Sequence, residues 1–473
     1  MKKLLSFVIV LVAVLVLSGC QRGYSSDYEV LTIEQLKAEE KVEITFRIPF
    51  GTAIKNVIDE LVESFNEEYP NVFVDVQVIS GYDEMKDATI LHVGGGNAPT
   101  LSVGYPDHFA EYLITESIIP LDKFINADDP RIGYSKEEIE DFLPGYLAEN
   151  RQFDSKQSFI GLPFNKSTEA LYYNKEFFDE FDLKVPETWA EVEDVAEEIY
   201  AIVEDIEDGE YSFLGNIATN LEEGTFLPMM YDSTGNLFTT IIHQFGGKYT
   251  EAIVRANGVT DVQRGKIAFK DDAKAKEALT YLQNLAKKNV MNVPEAWEGM
   301  YGSNFFINGQ ILMNVGSTAG ASHYSNSIAE WAVAPIPYHD EDHKFVIQQG
   351  TNLCIFSQAS DMEKLAAWLL IKHFLTPENT AYFAMKTGYM PVRASAYELD
   401  EYKEFIEDDT DNFAKVHRAT SEYSKGGWNY FVDAAWAGSN KVRQECGTAV
   451  TQILVLQTDV QKAFNDAVGR IGQ

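Results

Sequence analysis

Residues 42 to 78 carry a pattern that few folds accommodate. Val42 to Ile48 reads as a strand, Ile54, Val57, Ile58, Leu61, Val62 and Phe65 recur at helical spacing, and Val72, Val74, Val76 and Val78 alternate as a second strand. Pro70 stops the helix between them. Such a βαβ unit closes with a right-handed crossover and puts two parallel strands in one sheet. Strand and helix patterns go on alternating, with amphipathic helices at Trp189 to Ile202, Asp272 to Lys288 and Asp361 to Phe374. Thr376-Pro377-Glu378 has the form of an N-cap with proline in the first turn, and Gly388 would end that short helix. The expected fold class is therefore α/β. At 473 residues the chain exceeds one ordinary core, which predicts two domains, and no segment repeats at a fixed period.

The N-terminus bears on location. Lys2 and Lys3 precede an apolar run, Leu4 to Leu17, interrupted only by Ser6, which is the plan of a secretory signal and short for a membrane span. Leu17-Ser18-Gly19-Cys20 resembles the lipobox of bacterial lipoproteins, in which the cysteine is diacylated and becomes the mature N-terminus. On this reading residues 1 to 19 are a signal peptide and residues 20 to 41 a polar, flexible tether, within which Ile33 to Glu40 has the pattern of a short helix. The chain is expected at the cell membrane, lipid-anchored through Cys20 and facing away from the cytoplasm. No later segment approaches the apolar length of a transmembrane helix.

A net charge of −35 makes nucleic acid and anionic lipid poor partners and fits a solvated, self-repelling surface. Beyond Cys20 only Cys354, in the apolar run Leu353 to Phe356, and Cys446, which follows Val442, remain, which favours buried free thiols over a disulfide and excludes a four-cysteine zinc site.

Motifs for chemistry are missing. The sequence holds no G-x-S-x-G elbow, H-E-x-x-H pair, Walker lysine or G-x-G-x-x-G opening a helix. Gly94-Gly95-Gly96 lacks the following Lys-Ser/Thr of a phosphate cradle and reads as a turn. His339-Asp340-Glu341-Asp342-His343 has the ingredients of a metal site, yet it separates two strand patterns and reads as a solvated hairpin loop. No cofactor, metal or catalytic pair is expected. A lipid-anchored hydrolase or lyase of surface polysaccharide would need positioned catalytic groups that no motif supplies.

The positive signal is an ordered set of short motifs. Ile160 to Lys175, with Pro163-Phe164-Asn165-Lys166-Ser167-Thr168 at its centre, resembles the crossover between lobes in the family 1 extracellular solute-binding proteins of ABC importers. Phe65-Asn66, Tyr69-Pro70, Asn97-Ala98-Pro99 and Ile119-Pro120-Leu121-Asp122 precede it in that family's order. Val185 to Trp189, Phe306 to Gln310, Gly350-Thr351-Asn352-Leu353 and Thr387 to Arg393 follow. The resemblance implies a two-lobed, periplasmic-binding-protein-like fold with a ligand cleft between the lobes and crossing hinge strands. It implies a monomer that captures a mono- or oligosaccharide by lobe closure and delivers it to the permease subunits of an ABC importer. Lobe 1 would comprise residues 42–163 and 314–372, and lobe 2 residues 164–313 and 373–473.

Carbohydrate recognition needs polar groups for hydroxyls and aromatic faces for C–H surfaces, and the chain has 24 Tyr and 6 Trp. Tyr82 and Asp107 stand at the ends of first-lobe strand patterns, where cleft residues of α/β sheets sit. Ser167 lies in the crossover motif, as ligand contact or as turn-former. Asp232 and Asn236 flank a polar loop that suits hydroxyl binding or helix capping. Ser317 and Gly350 follow the family pattern of small residues that let backbone approach ligand. Tyr389 matches a position that lines the cleft in family members. Arg393 would bind ligand or bridge the lobes, and Trp436 would be a stacking plate or core. The Pro163 to Thr168 segment is also similar to the glycerol-3-phosphate binders of the family. Those place an arginine where Gly426 to Asn440 of this chain has Trp428 and Trp436, which favours a neutral saccharide over a phosphate ester.

Overall fold

The computed structural model describes Tyr24 and residues 27–255, 260–299 and 301–472; Cys20 and the signal segment lie outside the described residues. In chain order the strands are β1 (Val42–Ile48), β2 (Val72–Val78), β3 (Leu101–Gly104), β4 (Leu162–Ser167), β5 (Glu169–Asn174), β6 (Leu227–Tyr231) and β7 (Thr250–Val254). They continue as β8 (Thr260–Ile267), β9 (Met291–Asn292), β10 (Ile311–Ser317), β11 (Trp331–Ala334), β12 (Phe345–Ile347), β13 (Gln349–Ile355) and β14 (Asn429–Phe431). Ten of them form two sheets, ordered β2-β1-β3-β13-β4 and β11-β5-β10-β6-β9, and these are the cores of two lobes.

The expected βαβ unit is present. β1 and β2 pair in parallel from Val42 opposite Val72 to Ile48 opposite Val78, and the helix Thr52–Glu68 between them buries Val57, Ile58, Leu61, Val62 and Phe65. Tyr69 caps that helix, and Pro70 cannot continue it.

Chain crosses between the lobes at Thr168, the single residue between β4 of the first sheet and β5 of the second. Thr168 Oγ1 donates to the Ile347 carbonyl at 2.7 Å, and its carbonyl accepts from Thr318 N at 2.9 Å, so the segment after β10 and the return at β12 are tied to the first crossing. Met390 N donates to the Lys166 carbonyl beside them.

The expected lobe boundaries require correction. β10 lies between β5 and β6, and β11 pairs with β5, so residues 314–317 and 331–334 belong to the second sheet, not the first. The chain rejoins the first sheet at β13, which pairs antiparallel with β3 and β4. Residues 164–167 lie in the first sheet, and Phe374, Phe383, Tyr389 and Val392 pack in the first core. The strand pattern at Met313 to Ser317 carried no sign of its neighbours, and pairing partners decide the lobe.

The tether is shorter than expected. Tyr28, Ile33 and Leu36 are buried in the first core, and the helix Ile33–Ala38 begins on a Thr32/Gln35 capping box. Tyr28 stacks on Phe124 at 5.1 Å and donates to the Pro120 carbonyl at 2.8 Å. Ile33 and Leu36, three residues apart, lie on one face of the helix and turn it toward that core.

Cys354 and Cys446 are free and buried. The His339 to His343 run is a surface loop, and among the described residues no cluster is arranged to hold a metal ion. The lobes also touch away from the hinge. The first-lobe helix Pro106–Ile114 shares an apolar cluster with Val262 on β8 and Ala435, and Thr260 Oγ1 donates to the Gln152 carbonyl at 2.7 Å.

Candidate functional site

A cavity of about 640 Å³ lies between the lobes. Its first-lobe wall is built at the carboxyl ends of parallel strands, where open α/β sheets place their ligands. After β2 the chain turns at Gly81, φ +91°, into the helix Tyr82–Gly94; after β3 it passes through Tyr105 into the helix Pro106–Ile114. The Tyr82 and Tyr105 rings lie 5.0 Å apart, and the Tyr82 and Tyr389 hydroxyls are 3.4 Å apart. Burial pushes the Tyr82 and Tyr105 phenols above their ordinary range, so at the cavity wall they are neutral donors and acceptors.

The second-lobe wall centres on Glu169, the first residue after the crossing. Its carboxylate accepts from Asn236 Nδ2 at 2.7 Å and from the Tyr231 hydroxyl. Burial pushes its pKa up to about 7 against the pull of those two donors. Asp232, at the end of β6, accepts from the Gly302 amide and is pushed up to about 6, again by burial. Arg443, from the helix Ser439–Leu454, donates Nη1 to Asp433 and Nη2 to Asn236 Oδ1. Burial works against its charge, and Asp433 more than restores it.

At the hinge floor Lys166 Nζ pairs with Glu149 and donates to the Gly350 carbonyl at 3.1 Å, while Gln348 Nε2 donates to the other Glu149 oxygen at 2.6 Å. Burial lowers the Lys166 pKa, and Glu149 opposes that shift. At the cleft mouth Asp83 of the first lobe accepts from Asn440 Nδ2 at 2.6 Å and from Gln444 Nε2 at 2.5 Å of the second. The lobes are thus closed on each other.

Tyr82, Asp107, Ser167, Asp232, Asn236, Ser317, Gly350, Tyr389 and Trp436 all border the cavity. Several hold structural posts as well. Gly350, at φ +92°, passes so near β4 that a Cβ there would lie 1.9 Å from the Asn165 carbonyl oxygen, so the strand crossing alone demands glycine. Ser317 caps the turn that follows β10, accepting from Ala319 N at 3.3 Å. Trp436 is only 2% exposed and packs in the second core.

Arg393 is the exception. Its Nε donates to Asp141 at 2.7 Å and its guanidinium lies 4.3 Å from the Phe142 ring centre, inside the first lobe and away from the cavity. It neither reaches the cleft nor bridges the lobes.

Glu149, Glu169, Tyr105, His108 and Arg443 also border the cavity, and the sequence reading passed over them. Glu169 had a signal, since it stands two residues after Ser167 across the crossing. Arg443 lies three residues beyond the stretch searched for an arginine, one helical turn from Asn440. Glu149 had none, because a carboxylate in so acidic a chain is not distinctive.

A two-lobed α/β protein with a polar cleft at its hinge is a receptor for a small solute. The bacterial extracellular solute-binding protein family matches residues 60–414, three quarters of the chain, and the chain belongs to that family. It is a solute-binding protein of the ABC-importer class. It is 27% identical over 423 residues to the sn-glycerol-3-phosphate-binding periplasmic protein UgpB of Shigella dysenteriae, covering 83% of this chain and 87% of the relative. Among solved structures it is similar to Mycobacterium tuberculosis UgpB in complex with glycerophosphocholine, at 18% identity and TM-score 0.71, over 91% of this chain and 98% of that one. It is also similar to an ABC substrate-binding protein of Listeria monocytogenes in complex with cycloalternan, at 17% identity and TM-score 0.69, again over 91% and 98%. At these identities the structural likenesses bear on the fold.

Proposed function

We propose that this protein captures a carbohydrate in the interlobe cleft and presents it, lobes closed, to the permease of an ABC importer. The observation that carries the reading is the charge of the cleft. Asp83, Glu84, Asp107, Asp232 and Asp433 border it, together with Glu149, which Lys166 neutralises, and Glu169, whose pKa burial raises to about 7, against one lining guanidinium, Arg443, which is already bonded to Asp433 and Asn236. A dianionic phosphate needs uncommitted cationic donors. Saccharide hydroxyls, in contrast, both donate and accept, and suit carboxylates, amides and phenols.

A glycerol phosphate or glycerophosphodiester is the second reading, favoured by the ligand named for the curated relative and by the presence of Arg443 in the cleft. A thermal-shift panel of mono- and oligosaccharides, glycerol-3-phosphate and glycerophosphodiesters separates the two, because ligand bound to the folded state raises stability by RT ln(1 + [L]/Kd). The expected response is to saccharide; a response confined to the phosphates reverses the assignment. Binding and delivery, not catalysis, is the proposed role, and conversion of a glycan in the same incubations would overturn it. We read the protein as a monomer, held outside the cytoplasm by lipid on Cys20.

A further inference from the structure

Resting on the carbohydrate reading, we propose that the preferred saccharide bears a protonated amine, seated beside Asp107 and His108 on the first-lobe wall of the cleft, within the field of Asp433 from the second lobe. Two independent features point there, an uncompensated negative charge and a buried acceptor without a partner.

The charge comes first. Asp433, of the second lobe, is raised by burial first and then by the like charge of Asp107 of the first, against the pull of Arg443, whose own charge both carboxylates support. Asp107 receives only the backbone N–H of His108, at 3.0 Å, and Asp433 Oδ1 is buried without a hydrogen-bond partner among the described residues. Asp83 and Glu84 stand on the same rim. Lys86 also acts on Asp83 and His108, but its ammonium is paired with Asp87 and Glu111, so the carboxylates here still outnumber the cations.

His108 supplies the second observation. Its side chain is 1% exposed, it borders the cavity, and both ring nitrogens lack partners, with Nε2 4.0 Å from Asp107 Oδ1. Burial lowers its pKa and keeps the imidazole neutral, so one ring nitrogen is an acceptor. An ammonium offers three N–H donors, which serve a carboxylate, a neutral imidazole and a ligand hydroxyl together. Tyr105, 5.5 Å from His108, and Tyr82 behind it add ring faces that attract a cation.

Titration calorimetry of the purified protein with glucosamine oligosaccharides and their N-acetylated counterparts of equal length, below the amine's own pKa, tests this. The amine series should bind at least about tenfold more tightly, because charges in a partly desolvated cleft interact more strongly than in water. The advantage should shrink as salt rises. In Asp107→Asn, which keeps the side-chain shape, the ratio of the two affinities should fall to about one. Equal or tighter binding of the N-acetylated series to the wild type overturns the proposal, as does a ratio that survives Asp107→Asn. The wild-type series decides even if the variant does not fold. Neutral sugars binding without the amines sinks this inference alone, whereas no binding of any saccharide removes the carbohydrate reading beneath it.

Discussion

Trp436→Ala separates two roles that a tryptophan at a ligand cleft can have. The indole borders the cavity, yet it is 2% exposed, belongs to the second core, and lies so close against β8 that a Cβ on Gly265 would fall 2.3 Å from its ring. A buried aromatic side chain removes about 150–250 Å² from water, which at about 25 cal/mol/Å² is roughly 4–6 kcal/mol. Measured Trp-to-Ala replacements in cores cost about 3–5 kcal/mol, in agreement. For a lobe of about 200 residues each kcal/mol moves the melting midpoint by about 2–4 °C, so a loss on the order of 10 °C is expected. Differential scanning calorimetry of the ligand-free protein reads it directly. Trp436→Phe should recover much of the loss by refilling the space over Gly265. A Trp436→Ala midpoint within about 2 °C of wild type, with ligand affinity lost, would refute the core assignment and make the ring a stacking plate.

Two further outcomes follow from the same chemistry. The Glu169 carboxyl titrates at about 7 in the folded protein against an ordinary 4.5, so between those values the folded state holds the proton more tightly, and its contribution to stability falls as pH rises through the window. Asp232, at about 6 against 3.8, acts in the same sense lower down, while the buried imidazoles of His243 and His417, pushed down to about 4, act in the opposite sense. The Glu169 contribution is therefore read as the difference in urea-unfolding stability between wild type and Glu169→Gln, which should fall as pH rises from about 4.5 to about 7. A difference that rises or stays level across this range would contradict the burial of Glu169. Cys20→Ser should abolish metabolic labelling by palmitate and move the protein out of the membrane fraction, and unchanged membrane partition would end the lipid-anchor proposal.

The sequence was most legible where one element carries its own periodicity. The helix Thr52–Glu68 and the parallel pair β1 and β2 follow from spacing alone, because apolar positions every three or four residues or every two residues identify a buried face locally. Lobe membership is a pairing property instead, and β10 could be assigned only once β5 and β6 were seen on either side of it. The site divides in the same way. Tyr82 and Asp107 could be placed at the cavity wall because strand ends are recognisable, and Asp232 because it flanks a polar loop after an apolar strand. Arg393 failed because its partner, Asp141, lies some 250 positions earlier in the chain, and nothing local to Arg393 announces it. Arg443 was missed for the related reason that a helix beginning at Ser439 carries side chains past the end of any short motif.

The distribution of bond strengths explains how such a chain can move. Lys166, Glu149 and Gln348 form a buried charged network just before the crossing, and removing one partner of a buried ion pair costs about 3–5 kcal/mol. That network holds β4 and β13 as one body, so rotation between the lobes falls on the residues after it, at Thr168 and its companions. The contacts that hold the mouth shut are of another kind. Asp83 reaches Asn440 and Gln444 through hydrogen bonds at a partly exposed rim, and such bonds contribute about 1 kcal/mol each. The apolar cluster that joins the helix Pro106–Ile114 to Val262 and Ala435, and the Thr260 to Gln152 bond, add to that latch, and a ligand shifts the balance of open and closed forms only by its preference for one of them. Ser167 and Glu169 flank Thr168 and both border the cavity, so the wall of the cleft and the crossing between the lobes are built from adjacent residues of the chain.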